Sequence, residues 1–400
     1  MIKVPPPPAP PQANVNYETA NDSLAVLIAA SSSWAEDGGL IKVVLLEVSL
    51  PSRGGADLGP GFSQRFDPVD ATVRVAIPAG GAAPALTVLA YVDANSDAVV
   101  VSVSPPIAGV TARLVPLRTA AIRGNNNEFC TNHTVAADTV AAGGQMVYHR
   151  IAVPRSKSYM AQSFKILNLP LDIPGFVDPL ENRATGACLA RIPALAGGAG
   201  MTFSVTVLTA QTASAAQFET ELAQASAEVE AALKLAGGQL PARAHSAWWA
   251  AKWDAHTIEV SAAGAGEQDA ATVSQLYKLQ RFIELSQARS PYPIKFNGML
   301  YTARRENDNT PWGGLNWWQN IRHPYVELSS VWASPACQCC IVAGTPGSMR
   351  PTAPHRAPCA LQSSTVPLRV RSLDRVPVRV VSLTTAAAAA AAAAADTTTC

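Results

Sequence analysis

The sequence predicts a multidomain β + α chain: an N-terminal antiparallel β-sandwich, a helical linker, a helical region rich in tryptophan, and a low-complexity tail. Three observations carry this. Short β-branched runs recur between turn clusters up to about residue 210, the apolar period then changes to that of a helix, and all periodicity is lost past Val326. At 400 residues the chain also exceeds the size at which one core usually keeps growing.

Residues 1–23 contain the run "PPPPAPP" and read as an extended polyproline segment or spacer. They lack the apolar core and small-residue cleavage site of a signal peptide. The sandwich is expected over 24–210. "LIKVVLLEVSL", "ATVRVAIP", "ALTVLAYVDA", "AVVVSVSP" and "MTFSVTVLT" alternate partially with period two, and "PSRGGADLGPG", "PAGGAAP" and "DANSD" separate them. Strands at this spacing without intervening helices argue antiparallel pairing.

The helical linker is expected over 211–240, where Phe218, Leu222, Ala225, Val229 and Leu233 fall on one helical face and Gly237-Gly238 supplies a C-terminal stop. A second helix follows in "ARAHSAWWAAKWDAH", with Trp249 and Trp253 four residues apart. A third is expected in "QDAATVSQLYKLQRFIELSQAR", with Val273, Leu276, Tyr277, Leu279 and Ile283 on its buried side. Residues 329–400 are expected to be a disordered tail: from 341 onward every basic residue is arginine, and the end is an alanine run followed by "DTTTC". That composition resembles translated GC-rich or frame-shifted DNA, so a mis-assembled reading frame is a further interpretation of this segment.

Composition removes several classes of function. A formal net charge of +1 gives no electrostatic case for nucleic acid or an anionic membrane as partner. No apolar run approaches the roughly 20 residues that span a bilayer, so the chain is expected to be soluble. Seven cysteines, five of them after Trp332, make no disulfide framework. "CQCC…H…C" does not match the paired spacing of a closed zinc site, so no metal is expected. No phosphate loop, nucleophile elbow or dinucleotide fingerprint is present, and no cofactor is expected. Asn21-Asp22-Ser23 and Asn132-His133-Thr134 fit the glycosylation triplet, which matters only for an exported chain.

Seven of the eight tryptophans lie between His245 and Trp332. Trp248, Trp249 and Trp253 sit at helical spacing and read as core, with His245 and His256 as helix-end or packing histidines. Trp312, Trp317 and Trp318 differ, because they stand in a Gly-rich, non-periodic stretch, "PWGGLNWWQNIRHPY", among amides and an arginine. Flat apolar faces beside Asn, Gln and Arg donors suit a sugar, whose ring has an apolar CH face and a rim of hydroxyls.

"AWW…KWD", "VSQLYKLQRF", "YPIKFNGMLYT" and "WGGLNWWQNIRHPY", taken together, resemble the start of the catalytic domain of six-hairpin, (α/α)6-barrel glycoside hydrolases, in particular the α-L-fucosidase-like enzymes of family 95. "GFSQRFDPVDATVRVAI" is similar to a strand pair of that family's N-terminal sandwich. The resemblance implies the order sandwich, helical linker, barrel, with 241–328 as the first part of an incomplete barrel. It also implies hydrolysis of O-glycosidic bonds in complex polysaccharides, an oligo- or polysaccharide partner, and a family that is often secreted.

Carried over by position, Asn297 and Gly298 match the family's Asn-containing turn. Asn320 matches an asparagine that orients the water or substrate when Tyr325 is aligned with the family's tyrosine. Trp318 stands where a second asparagine is expected, and Val326 where a tryptophan is, so Gln319, Arg322 and His323 are candidates for serving a different sugar. Asn297, Trp312, Asn316, Trp317, Gln319 and Arg322 would line the substrate cleft.

An inverting glycosidase needs two carboxyl groups flanking the bond. Near the cluster only Glu306, Asp308 and Glu327 carry them, and each also reads as a solvated loop charge. In the resembled family the catalytic pair comes from later parts of the barrel, so the chain as written is expected to be inactive. The alternative is a non-catalytic carbohydrate-binding sandwich.

Overall fold

The structure is a computed structural model that describes residues 11–36, 39–51, 58–80, 83–123, 134–151, 180–192, 200–235, 242–255, 257–289, 319–320, 322 and 379–381. Its body is two antiparallel sheets. The first has four strands in the order β1-β2-β3-β8: β1 (Pro11–Glu18), β2 (Ser23–Trp34), β3 (Leu40–Ser49) and β8 (Thr111–Val115). Strand pairing thus reaches into the segment read from sequence as a proline-rich spacer, because Asn14, Asn16 and Tyr17 pair with Leu27, Ala25 and Leu24. The prolines that end at Pro11 conceal a strand whose polar and apolar residues alternate.

The second sheet has eight strands in the order β11-β12-β13-β14-β7-β6-β5-β4. Its members are β4 (Ser63–Asp67), β5 (Thr72–Ile77), β6 (Leu86–Val92), β7 (Ala98–Ser104), β11 (Thr139–Ala141), β12 (Met146–Arg150), β13 (Arg183–Ile192) and β14 (Met201–Gln211). Two short strands, β9 (Ile122–Arg123) and β10 (Thr134–Val135), pair with each other. All the strand runs quoted above lie in these elements.

The sheets pack face to face over one apolar cluster. Val26, Ile28, Val44 and Leu46 of the smaller sheet meet Val88, Val101, Phe203 and Val205 of the larger one, all buried. Side chains alternate along a strand, so the remaining residues of the larger sheet point outward. Part of that outer face is covered too. Helix α1 (Ala215–Leu235) lies over β13 and β14. Its Phe218 and Leu222 pack on Tyr148, Ala184 and Cys188, and its Leu233 packs on Ala98, Val100 and Ile192. This explains why β7 reads as an unbroken apolar run: Val99, Val101 and Val103 face the inner core while Ala98 and Val100 face the helix. Ser214 starts α1, its hydroxyl accepting the Gln217 N–H at 3.1 Å while the Gln217 side chain accepts the Ala213 N–H at 3.2 Å.

Two further helices follow, α2 (Ala242–Ala255) and α3 (Glu267–Gln287), separated by the three-residue strand β15 (Glu259–Ser261). β15 pairs with β16 (Arg379–Val381), so within 329–400, expected to be structureless, these three residues are paired and the others lie outside the described residues. Trp249 and Trp253 of α2 and Leu285 of α3 are buried together, as the helical spacing of the tryptophans predicts.

The buried side expected for α3 is corrected. Val273, Leu276 and Leu279 are 51%, 59% and 40% exposed, whereas Ala270, Arg281, Glu284, Leu285 and Gln287 are buried. The C-terminal half of α3 packs on α2, while further back Ser274 accepts the Val260 N–H at 2.9 Å and Lys278 pairs with Glu259 of β15 at 3.0 Å. Tyr277 and Ile283, also expected on the buried side, are half-buried. No helix among the described residues is long and apolar enough to cross a membrane.

Candidate functional site

Three places concentrate chemistry-bearing side chains. The first is the segment singled out in the sequence. Gln319, Asn320 and Arg322 are helical and exposed. Asn297, Gly298, Trp312, Asn316, Trp317, Trp318 and His323 lie outside the described residues, as do Glu306, Asp308 and Glu327.

The second is the seam where α2 and α3 meet two sandwich turns, residues 67–71 and 93–97. Trp253 Nε1–H donates to the Val69 carbonyl at 2.9 Å. His245 bridges both turns: its Nδ1 accepts the Ala94 N–H at 3.1 Å, and its Nε2 lies 2.8 Å from the Asp70 carbonyl. A carbonyl can only accept, so the proton is on Nε2. Arg289, just past α3, donates to the Ala94 carbonyl, and its guanidinium stands 5.2 Å from the Trp248 ring centre, from which the Lys252 ammonium is 5.0 Å away. Reading His245 as a packing histidine is correct as far as burial goes, at 1% exposure. Its role as a bridge between two distant turns had no sequence signal, because its partners are backbone groups 175 and 151 residues away.

A small apolar groove opens beside this seam. Phe66, Tyr91, Trp249 and Phe282 wall it, and Gln12, Ser286 and Arg289 supply its polar side chains. The rings pack edge-on or tilted, with Phe66 and Phe282 centroids 4.7 Å apart and Trp249 and Phe282 5.4 Å apart. Its lining is mainly aromatic and aliphatic, so this groove differs in character from the amide-rich stretch at 311–325.

Burial shapes the charges here. It pushes the Asp97 carboxyl up to about 6, against the pull of Arg289. It pushes the Arg289 guanidinium and the Lys252 ammonium down, and in Lys252 the neighbouring Arg281 and Arg289 add to the effect.

The third place is a buried charged network in the sandwich. His149 of β12 has Nε2 3.0 Å from Glu36 Oε2 and Nδ1 3.5 Å from Asp138 Oδ1, the second an ion-pair contact rather than a formed hydrogen bond. Arg118 pairs with Asp138 at 2.8 Å and also donates to the Lys42 carbonyl. Asp138 Oδ2 accepts the backbone N–H groups of Leu117 and Arg118. Burial works against a charged His149, but the carboxylates of Asp138 and Glu36 outweigh it and hold the ring above its ordinary pKa. Burial likewise raises Glu36, and the His149 hydrogen bond and charge outweigh it, so its carboxyl sits below the ordinary value.

A Glu–His–Asp set resembles acid–base machinery in composition. The side chains of His149 and Asp138 are 2% and 0% exposed, however, so no substrate reaches them and the network joins the two sheets instead. His149 lies between its two carboxylates rather than beside them, and no three ligating side chains converge on one point among the described residues.

No protein-family model matches the chain. No curated protein matches it either. Among solved structures it is similar to a "Putative kojibiose phosphorylase from human microbiome", with a TM-score of 0.33 and 8% identity, over 71% of this chain and 41% of that one. The chain thus spans less than half the length of that protein, and a likeness this faint decides nothing about activity.

Proposed function

We propose that the chain is a glycoside hydrolase-like protein that recognises an oligo- or polysaccharide through the aromatic and amide stretch at 311–325. The observation that supports this reading is the stretch itself, with its resemblance to the first wall of a family 95-like cleft. Its place in the chain agrees: it follows a sandwich, a helix laid on that sandwich, and tryptophan helices docked at the sandwich turns. In this reading Trp312 and Trp317 stack on sugar rings, and Asn297, Asn316, Gln319 and Arg322 bond hydroxyls. Asn320 orients the water or the substrate.

An aryl glycoside panel that includes the α-L-fucoside separates recognition from turnover. Hydrolysis that falls in Asn320→Ala while the fold is intact supports a fucosidase-like reaction. Saturable binding without hydrolysis supports a carbohydrate-binding protein. Neither binding nor hydrolysis across the panel removes the proposal.

A further inference from the structure

The seam between sandwich and helices is held by side chains on the helical side and backbone groups on the sandwich side. Trp253 reaches the Val69 carbonyl, His245 reaches the Asp70 carbonyl and the Ala94 N–H, and Arg289 reaches the Ala94 carbonyl. Of these, His245 touches both turns, and its ring lies 4.7 Å from that of Tyr91. Because Nδ1 accepts the Ala94 N–H, the bridge requires a neutral ring. A proton on Nδ1 would set two N–H groups against each other and leave a charge at a place with 1% exposure.

We infer that His245 is a pH-sensitive clasp whose protonation under mildly acidic conditions releases α2 and α3 from the sandwich turns. The charged groups acting on it come from both sides of the seam: Asp70 from the first turn, Asp93 from the second, and Arg289 just past α3, which in turn interacts with Asp97 of the second turn. Burial is the largest influence on the ring and, with Arg289, opposes its charge; the Asp70 carbonyl and the charges of Asp93 and Asp70 favour it. The net direction is a lowered pKa.

The docked state therefore binds this proton more weakly than the released state, and docking weakens as pH falls below the ordinary histidine value of about 6.5. Asp97 acts in the opposite sense. Its docked-state value is pushed up to about 6, so its own contribution favours docking as pH falls toward the ordinary carboxylate range. The clasp opens because His245 loses the Ala94 hydrogen bond when it gains a proton on Nδ1.

Hydrogen exchange of the Ala94 amide, corrected for intrinsic chemistry, tests this in the full chain between pH 8 and pH 5, beside acrylamide quenching of tryptophan emission. The expected result is at least a tenfold loss of Ala94 protection with a parallel rise in quenching. His245→Gln keeps a donor and an acceptor but cannot titrate, and should abolish the loss of protection on acidification, leaving only the opposite trend set by Asp97. Asp97→Asn removes the opposing titration and should move the wild-type transition to higher pH. Protection that is constant or rises on acidification in the wild type would overturn the inference. If His245→Gln does not fold, ring ¹⁵N shifts of the wild type decide: His245 charged while Ala94 stays protected also overturns it.

Discussion

Gly186 of β13 is bare where Phe218 of α1 lies across the sheet. A Cβ there would stand 3.1 Å from Phe218 Cε1, 2.9 Å from the Val147 carbonyl and 2.4 Å from Tyr148 Cβ. The backbone and a strand neighbour cannot yield as a long side chain would. Gly186→Ala should therefore cost about 2 kcal/mol or more and loosen α1 from the sheet. Thermal unfolding with hydrogen exchange in α1 checks this, and an unchanged melting temperature would contradict it.

His149 and Glu36 make a second prediction. Removing one partner of a buried ion pair costs about 3–5 kcal/mol, so Glu36→Gln should lower stability by that order. The pH profile carries the sign. His149 is raised, so its contribution is complete below about pH 6.5 and is lost as pH rises through the higher folded value. Glu36 is lowered, so its contribution holds above its ordinary value of 4.5 and is lost as pH falls through the folded one. Denaturant unfolding from pH 2 to 9 should show both limbs in the wild type and a shallower alkaline limb in Glu36→Gln.

Trp253 joins a hydrogen bond to a buried ring. Trp253→Phe keeps most of the ring and loses the bond to Val69, which should cost about 1 kcal/mol. Trp253→Ala loses both and should cost about 3–5 kcal/mol. Near-equal losses in chemical denaturation would show that the ring contributes little.

The two halves of α3 should respond differently. Leu285 is fully buried beside Trp249 and Trp253, and Leu285→Ala should cost about 2–5 kcal/mol. Leu276 is 59% exposed, and Leu276→Gln should change stability by less than about 0.5 kcal/mol. A large loss in Leu276→Gln would mean that this face is covered.

Much of the architecture is legible in the residues. Period-two runs mark the inner strands, and Phe218, Leu222 and Leu233 correctly mark the buried face of α1. β1 is hidden because a proline run abuts a strand of only eight residues. The face of α3 is misread because periodicity reports what a helix offers, not what stands opposite it. Val273, Leu276 and Leu279 fit the period yet stay exposed, while Arg281, Glu284 and Leu285 are buried. The network of Glu36, Asp138 and His149 spans 113 residues of sequence between Glu36 and His149, so no local pattern announces it. Of the candidate sugar-binding residues, the sequence supplies types and spacing, and the structure adds the exposure of Gln319, Asn320 and Arg322.

The most direct measurement is binding of the full chain to a panel of oligo- and polysaccharides by calorimetry, beside Trp317→Ala and Asn320→Ala variants shown to melt like the wild type. Saturable binding to at least one glycan is expected, weakened tenfold or more by Trp317→Ala. Absence of binding across the panel by folded protein, or binding that Trp317→Ala leaves unchanged, would contradict it.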